Sequence, residues 1–256
     1  MALLQMQYFS QILQKGTGMN VILPDVCYGA DNQQANRKEI NVVYLLHGLS
    51  DDFTSWQRKT AVERYAAEYN LAVIMPDAAR SFYCNEVLGG AYLQHIAEEV
   101  PFVVKEMLGI EETKGKTFVA GLSMGGYGAL KLALQYPARF AAAASFSGAA
   151  DIADAFSILD VLQDKQRIFG DLQALKGSEH DLYTIAQKEK SALPRLYIAC
   201  GTQDFFYGQH QAFCAFLEGR GYDVNRVDTQ GAQHEWNYWD AQLPNALHWM
   251  MGQKQL

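Results

Sequence analysis

The chain has 256 residues, with 21 Lys plus Arg against 28 Asp plus Glu, a formal charge of −7. That acidic balance argues against a nucleic-acid partner or an anionic membrane surface. Hydrophobic residues make up 49% and charged residues 19%, values that exclude disorder and leave apolar side chains for one large domain over residues 1–256. No apolar run approaches the roughly 20 residues of a membrane span, and the opening Met1-Ala2-Leu3-Leu4-Gln5 lacks a signal peptide's basic and long apolar regions. The expectation is a cytoplasmic protein whose cysteines, Cys27, Cys84, Cys200 and Cys214, are buried free thiols without metal-binding spacing.

In chain order, short β-branched runs alternate with helical segments, the pattern of an α/β fold with a mostly parallel central sheet and helices on both faces. The expected strands are Met19 to Leu23, Ile40 to Leu46, Ala72 to Met75, Thr117 to Ala120, Ala141 to Ser145, Arg195 to Ala199 and Asp223 to Asp228. Several are apolar throughout, as buried parallel strands are. Val62, Tyr65, Ala66 and Tyr69 follow a helical period, as do Ile96, Val100, Val103, Val104 and Met107. Pro101 should kink that second helix or start its main part. Residues 151–191 are too long and polar for one crossover helix, and are expected to form a helical cap over the strand ends.

The sharpest chemical signal is Gly121-Leu122-Ser123-Met124-Gly125-Gly126, after the strand Thr117 to Ala120 and before a helical run from Tyr127. This is G-x-S-x-G in a strand-turn-helix context: a tight turn strains the serine, and the flanking glycines admit the crossing backbone. A serine needs a histidine base, and the base needs an acid. His234, in the loop after the last expected strand, is the base; His248 falls in a terminal helix and suits packing or capping. Asp204 follows a strand through a short turn to the carboxyl edge of the sheet, where ligands and reacting groups collect. Asp228 and Glu235 are the rival acids, but the first ends a strand and the second adjoins the histidine. The run Val42 to Leu46 ends in His47-Gly48-Leu49, an oxyanion-loop signature that offers the Leu49 amide beside that of Met124. His47 itself is read as a structural histidine bonded within its loop.

Together, His47-Gly48-Leu49-Ser50-Asp51-Asp52 with Trp56, the Gly121 to Ala129 segment, Gly201-Thr202-Gln203-Asp204 and Gly231-Ala232-Gln233-His234-Glu235-Trp236 resemble the esterase D family of α/β-hydrolases, its bacterial tributyrin esterases above all. The resemblance runs from Met6 to Trp249. It implies an α/β-hydrolase fold and a carboxylesterase for short acyl esters, with Ser123, Asp204 and His234 as triad and the Leu49 and Met124 amides as oxyanion hole. It also suggests a homo-oligomer. S-formylglutathione hydrolases share the family, but usually carry Cys where this chain has Asp51; an acyltransferase or a non-catalytic binding protein are further alternatives. The expected partner is a small-molecule ester, with no metal or organic cofactor required. Leu49, Trp56, Met124, Phe205 and Phe206 adjoin the reacting positions and are expected to wall the acyl pocket. From the cap, Phe156, Ile158, Leu159 and Ile168 are expected to close it to long chains.

Overall fold

A computed structural model describes residues 1–25, 40–159, 161–170, 175–188 and 192–252. Eight strands form one sheet: β1 (Ala2–Ser10), β2 (Lys15–Leu23), β3 (Asn41–Leu46), β4 (Leu71–Pro76), β5 (Thr117–Leu122), β6 (Ala142–Phe146), β7 (Arg195–Gly201) and β8 (Val224–Thr229). Their order is β1-β2-β4-β3-β5-β6-β7-β8. The pairs from β4 to β8 are parallel, and β1 and β2 join as an antiparallel hairpin at one edge. Among the described residues the helices are α1 (Ser55–Lys59), α2 (Val62–Ala66), α3 (Tyr92–Gln94), α4 (Val100–Leu108), α5 (Met124–Gln135), α6 (Ile152–Leu159), α7 (Leu162–Phe169), α8 (Leu182–Gln187), α9 (Tyr207–Glu218) and α10 (Trp236–Met250).

Strands β3 to β7 are apolar on both sides because both faces are covered. One face packs under α4, α5 and α9 through Val104, Leu130 and Phe213. The other packs under α2 and α10 through Val62, Trp239, Leu243 and Leu247. The outer strand β8 is half-buried and carries Asn225, Arg226 and Asp228, polar residues that suit a sheet edge.

All seven expected strands are present, with ends shifted by a few residues. Strand β1 was missed because Ala2–Ser10 has no β-branched residue and reads by propensity as helix. Its pairing with β2 makes it a strand, with Leu4, Met6 and Tyr8 turned to the core. Glu99 fastens the hairpin loop, accepting from the Gln11 N–H at 2.6 Å. The helix expected from Val62 to Tyr69 ends at Ala66, and its last residues are turn. In the second crossover α3 runs into a π-helical turn at His95–Glu99, and Pro101 lies in the first turn of α4. The helical backbone runs on from the π turn, so the N–H that Pro101 lacks leaves the Ala97 carbonyl without its helical donor; Arg139 Nη1 donates to that oxygen at 2.6 Å.

The segment between β6 and β7 carries α6, α7 and α8 in its described parts. Helix α7 reaches the loop after β4, where the Val87 and Leu88 N–H groups donate to the Ile168 and Arg167 carbonyls at 3.0 and 2.9 Å. Arg80 pairs with Asp164 at 2.7 Å, and Arg167 bridges Asp164 and Glu86. Burial pushes the Asp164 carboxyl upward, but hydrogen bonds from Arg80 and Arg167 outweigh it and hold the group below its ordinary value. Phe156 and Ile168 are buried, whereas Ile158 is exposed. Cys84, Cys200 and Cys214 are buried and unbridged; Cys27 lies outside the described residues.

Candidate active site

Strand β5 ends at Leu122 and α5 begins at Met124, so one residue, Ser123, makes the turn. Its φ of 52° and ψ of −114° lie outside the regions an L-residue ordinarily occupies. The turn is possible because glycines flank it: a Cβ on Gly121 would stand 2.3 Å from the Gly125 carbonyl oxygen, and one on Gly125 2.3 Å from that of Leu46. The Ser123 N–H donates to the Phe146 carbonyl at 2.8 Å, which ties the strained residue to β6.

Two loops bring further groups to this point. At the end of β7, Gly201 lets the chain pass against Ala232, where a Cβ would lie 2.1 Å from the Ala232 oxygen. The Thr202 and Gln203 N–H groups donate to the Thr229 and Ala232 carbonyls, both at 3.0 Å, clipping the loop after β8 to the loop after β7. His234 Nδ1 thereby stands 2.9 Å from Asp204 Oδ2, and His234 Nε2 stands 2.9 Å from Ser123 Oγ. The second Asp204 oxygen accepts the Phe206 N–H at 2.8 Å. The Asp204 side chain has no exposed surface, so its charge acts on the imidazole without screening by water. The histidine ring is held between Phe205, with ring centres 4.3 Å apart, and Trp239, edge-on at 4.9 Å. The three residues singled out in the sequence are therefore hydrogen-bonded in series.

The rival acids are engaged elsewhere or turned away. Asp228 binds His210 Nε2 at 3.0 Å and Arg226 Nε at 2.8 Å, and Glu235 is exposed. His248 is exposed on α10, with its Nδ1 3.5 Å from the Tyr69 hydroxyl.

Beside Ser123, the Leu49 and Met124 N–H groups have no acceptor among the described residues. The loop that presents Leu49 is fixed by His47. Its Nε2 accepts the Ala78 N–H at 3.0 Å, so the proton resides on Nδ1, which donates to the Gly48 carbonyl at 2.8 Å. In a trans peptide C=O and N–H point oppositely, so anchoring the Gly48 oxygen also aims the Leu49 N–H. The Tyr83 hydroxyl holds the His47 carbonyl at 3.0 Å. Sequence reasoning missed Tyr83. No residue type marked it in advance; the structure does, since Phe82 and Tyr83 both adopt positive φ, 49° and 50°, strain of the kind that clusters at functional sites.

Two of the expected pocket residues are corrected. Trp56 is 1% exposed; its indole N–H donates to the Leu46 carbonyl at 2.9 Å and its ring packs on Phe146 and Trp236. It supports the loop from within the core and offers a ligand no surface. Phe206 is 0% exposed and meets the His234 ring edge-on, because the buried Asp204 carboxylate holds its N–H. Phe205 is 48% exposed beside the same ring and remains open to a ligand. Met124 is buried and Leu49 half-buried.

This strand order, with a serine on a strained strand-to-helix turn, is that of an α/β-hydrolase. A family model, Esterase, matches residues 10–250. An acetyl esterase of Caldicellulosiruptor saccharolyticus is 30% identical over 265 aligned positions, covering 98% of each chain. Among solved structures, the substrate-bound fluorophosphonate-binding serine hydrolase FphF of Staphylococcus aureus superposes with a TM-score of 0.88 at 34% identity, covering 98% of this chain and 99% of its own. The S-formylglutathione hydrolase FrmB of the same organism gives 0.87 at 34% identity over the same shares. The chain belongs to the Esterase family of α/β-hydrolases.

Proposed function

We propose that this protein is a serine carboxylesterase that hydrolyses short-chain acyl esters, with the whole chain acting as one catalytic domain in the cytoplasm. The observation that carries the reading is the continuous relay from Ser123 Oγ through His234 to Asp204, with both links at 2.9 Å. Ser123 attacks the ester carbonyl while His234 Nε2 takes its proton. Asp204 keeps the Nδ1 proton in place and stabilises the imidazolium. The tetrahedral oxyanion is received by the Leu49 and Met124 amides, whose lack of other acceptors supports that role. His234 then protonates the leaving alcohol, and a water activated by the same nitrogen releases the acid. None of these steps draws on a metal or an organic cofactor.

Residues 151–191 act as a cap on the acyl side, a role supported by the docking of α7 on the loop after β4. Phe156 and Ile168 support the cap from within, and Phe205 supplies exposed wall beside the histidine. A thioester reading has a specific observation in its favour, the likeness to FrmB. Against it stands Asp51, an acid where S-formylglutathione hydrolases usually carry Cys; a Cβ on Gly48 would lie 2.8 Å from its Oδ2. That places a carboxylate against the oxyanion loop.

The deciding experiment compares wild type and Ser123→Ala on p-nitrophenyl acetate, butyrate and octanoate, with S-formylglutathione alongside. The expected result is a steep short-chain preference that falls on the order of 10⁶-fold in the variant. A kcat/KM for S-formylglutathione orders of magnitude above that for the esters would establish the thioesterase reading instead, and variant activity within tenfold of wild type would remove Ser123 from the mechanism.

A further inference from the structure

Lys131 lies on α5, two helical turns beyond Ser123, and is fully buried. Among the described residues no carboxylate contacts it. Its Nζ meets Cys84 Sγ at 2.9 Å and His180 Nδ1 at 3.1 Å, and lies 5.6 Å from the centre of the Tyr127 ring. Burial, reinforced by the Lys131 charge, pushes the His180 imidazole down to about 4, so at neutral pH its Nδ1 is an acceptor. Cys84 is equally buried, 3.1 Å from the Phe82 carbonyl and 3.7 Å from the Tyr127 hydroxyl.

A solitary ammonium in an apolar interior costs several kcal/mol. Here its nearest polar neighbours are a sulfur and an imidazole nitrogen, so a primary amine and a nucleophilic element are in direct contact. The other described thiols have no such neighbour. Burial pushes Cys200 far up and Cys214 up to about 12, and neither touches a lysine. Thiolates are the form that oxidises, and a sulfenic acid condenses with an adjacent nitrogen.

We propose that Cys84 and Lys131 form a reversible oxidative cross-link, a direct bond from Sγ to Nζ, with hydrogen peroxide as oxidant. The thiolate attacks one peroxide oxygen, the S–O bond forms and the O–O bond breaks, and the departing hydroxide takes a proton from the Lys131 ammonium to become water, leaving a sulfenic acid beside a neutral amine. The neutral Lys131 amine then attacks the sulfur. The S–N bond forms, the S–O bond breaks, and the hydroxyl leaves as a second water with a proton from the amine. Sulfur is oxidised by two electrons and peroxide is reduced by two. Two equivalents of a thiol reductant reverse the link, regenerating thiol and amine and becoming a disulfide. Peroxide is little larger than water, and the His180 side chain in front of Lys131 is 16% exposed. The link would join α5 to the turn at residues 81–84, beside the Tyr83 that holds the oxyanion loop. It stands apart from the ester-hydrolysis reading and survives its failure.

The test exposes the native wild-type protein to hydrogen peroxide and maps its peptides by mass spectrometry. The expected product is one joined pair of peptides containing Cys84 and Lys131, two hydrogens lighter than their sum, lost on treatment with dithiothreitol. Cys200 and Cys214 should stay free thiols in the same sample. Cys84→Ser and Lys131→Met should each abolish the pair. Finding Cys84 unmodified, or as an unlinked sulfinic acid, would overturn the proposal without reliance on either variant. A joined pair heavier by one oxygen would overturn the direct S–N bond.

Discussion

The two sides of the site are built by different physics. On the nucleophile side, Ser123, Asp204 and His234 are placed by backbone crossings at Gly121, Gly125 and Gly201, where even a methyl group would meet a carbonyl oxygen within 2.3 Å. On the other side, the loop after β3, the turn after β4 and α7 are held by side chains: His47, Tyr83, Arg80, Asp164, Glu86 and Arg167. Backbone crossings admit no gradual change, since the chains pass or clash. Side-chain clasps weaken in steps, which suits the part of a site that sets specificity.

The largest effect expected on this contrast comes from Gly125→Ala. The added carbon has no flexible neighbour to displace, so the variant should lose more than about 3 kcal/mol and fail to give active folded protein, as read by circular dichroism and ester hydrolysis. A stable, active Gly125→Ala protein would break the comparison. Asp204→Asn sharpens it: the fold should persist with a similar Tm while kcat falls on the order of 10⁴-fold, because the imidazole loses its tautomer control. On the other side, Tyr83→Phe removes one hydrogen bond of about 1 kcal/mol. Its expected outcome is a fall in kcat of up to about tenfold with KM retained, seen in steady-state rates on p-nitrophenyl acetate.

Smaller still in its effect on turnover is Arg167→Met. Its partner Glu86 is 2% exposed, so the substitution should cost stability of about 1–3 kcal/mol, while acetate turnover holds and the octanoate-to-acetate ratio rises; an unchanged ratio would detach α7 from acyl selection. A separate effect is on pH. His180 is pushed down to about 4 in the folded chain from an ordinary 6.5, so between those values the unfolded state binds the extra proton and stability falls as pH drops. His180→Asn should flatten that part of a Tm-against-pH curve.

The strands were legible because each is an apolar run bounded by turn residues, and the Ser123 turn because its two glycines leave few other structures open. Asp204 and His234 were legible by position after their strands. Strand β1 was not, because Leu, Met and Gln carry no strand signal until β2 lies alongside. Trp56 and Phe206 were read as pocket wall from adjacency alone. Adjacency in sequence does not say which face of a loop a side chain takes: the Leu46 carbonyl draws the indole inward, and the bond from Asp204 to the Phe206 N–H turns that ring under the histidine.

By itself the sequence determined the alternation of strand and helix, the strained serine turn and the three residue types of the relay, because each depends on local spacing and backbone freedom. Only the tertiary structure decided that Asp228 is taken up by His210 and Arg226, that His47 and Tyr83 aim the Leu49 amide, and that Lys131 lies against Cys84. Contacts such as Asp204 with His234, His47 with Ala78, Tyr83 with His47 and Lys131 with Cys84 join residues 30 or more positions apart, and their partners are selected by packing that local sequence does not encode.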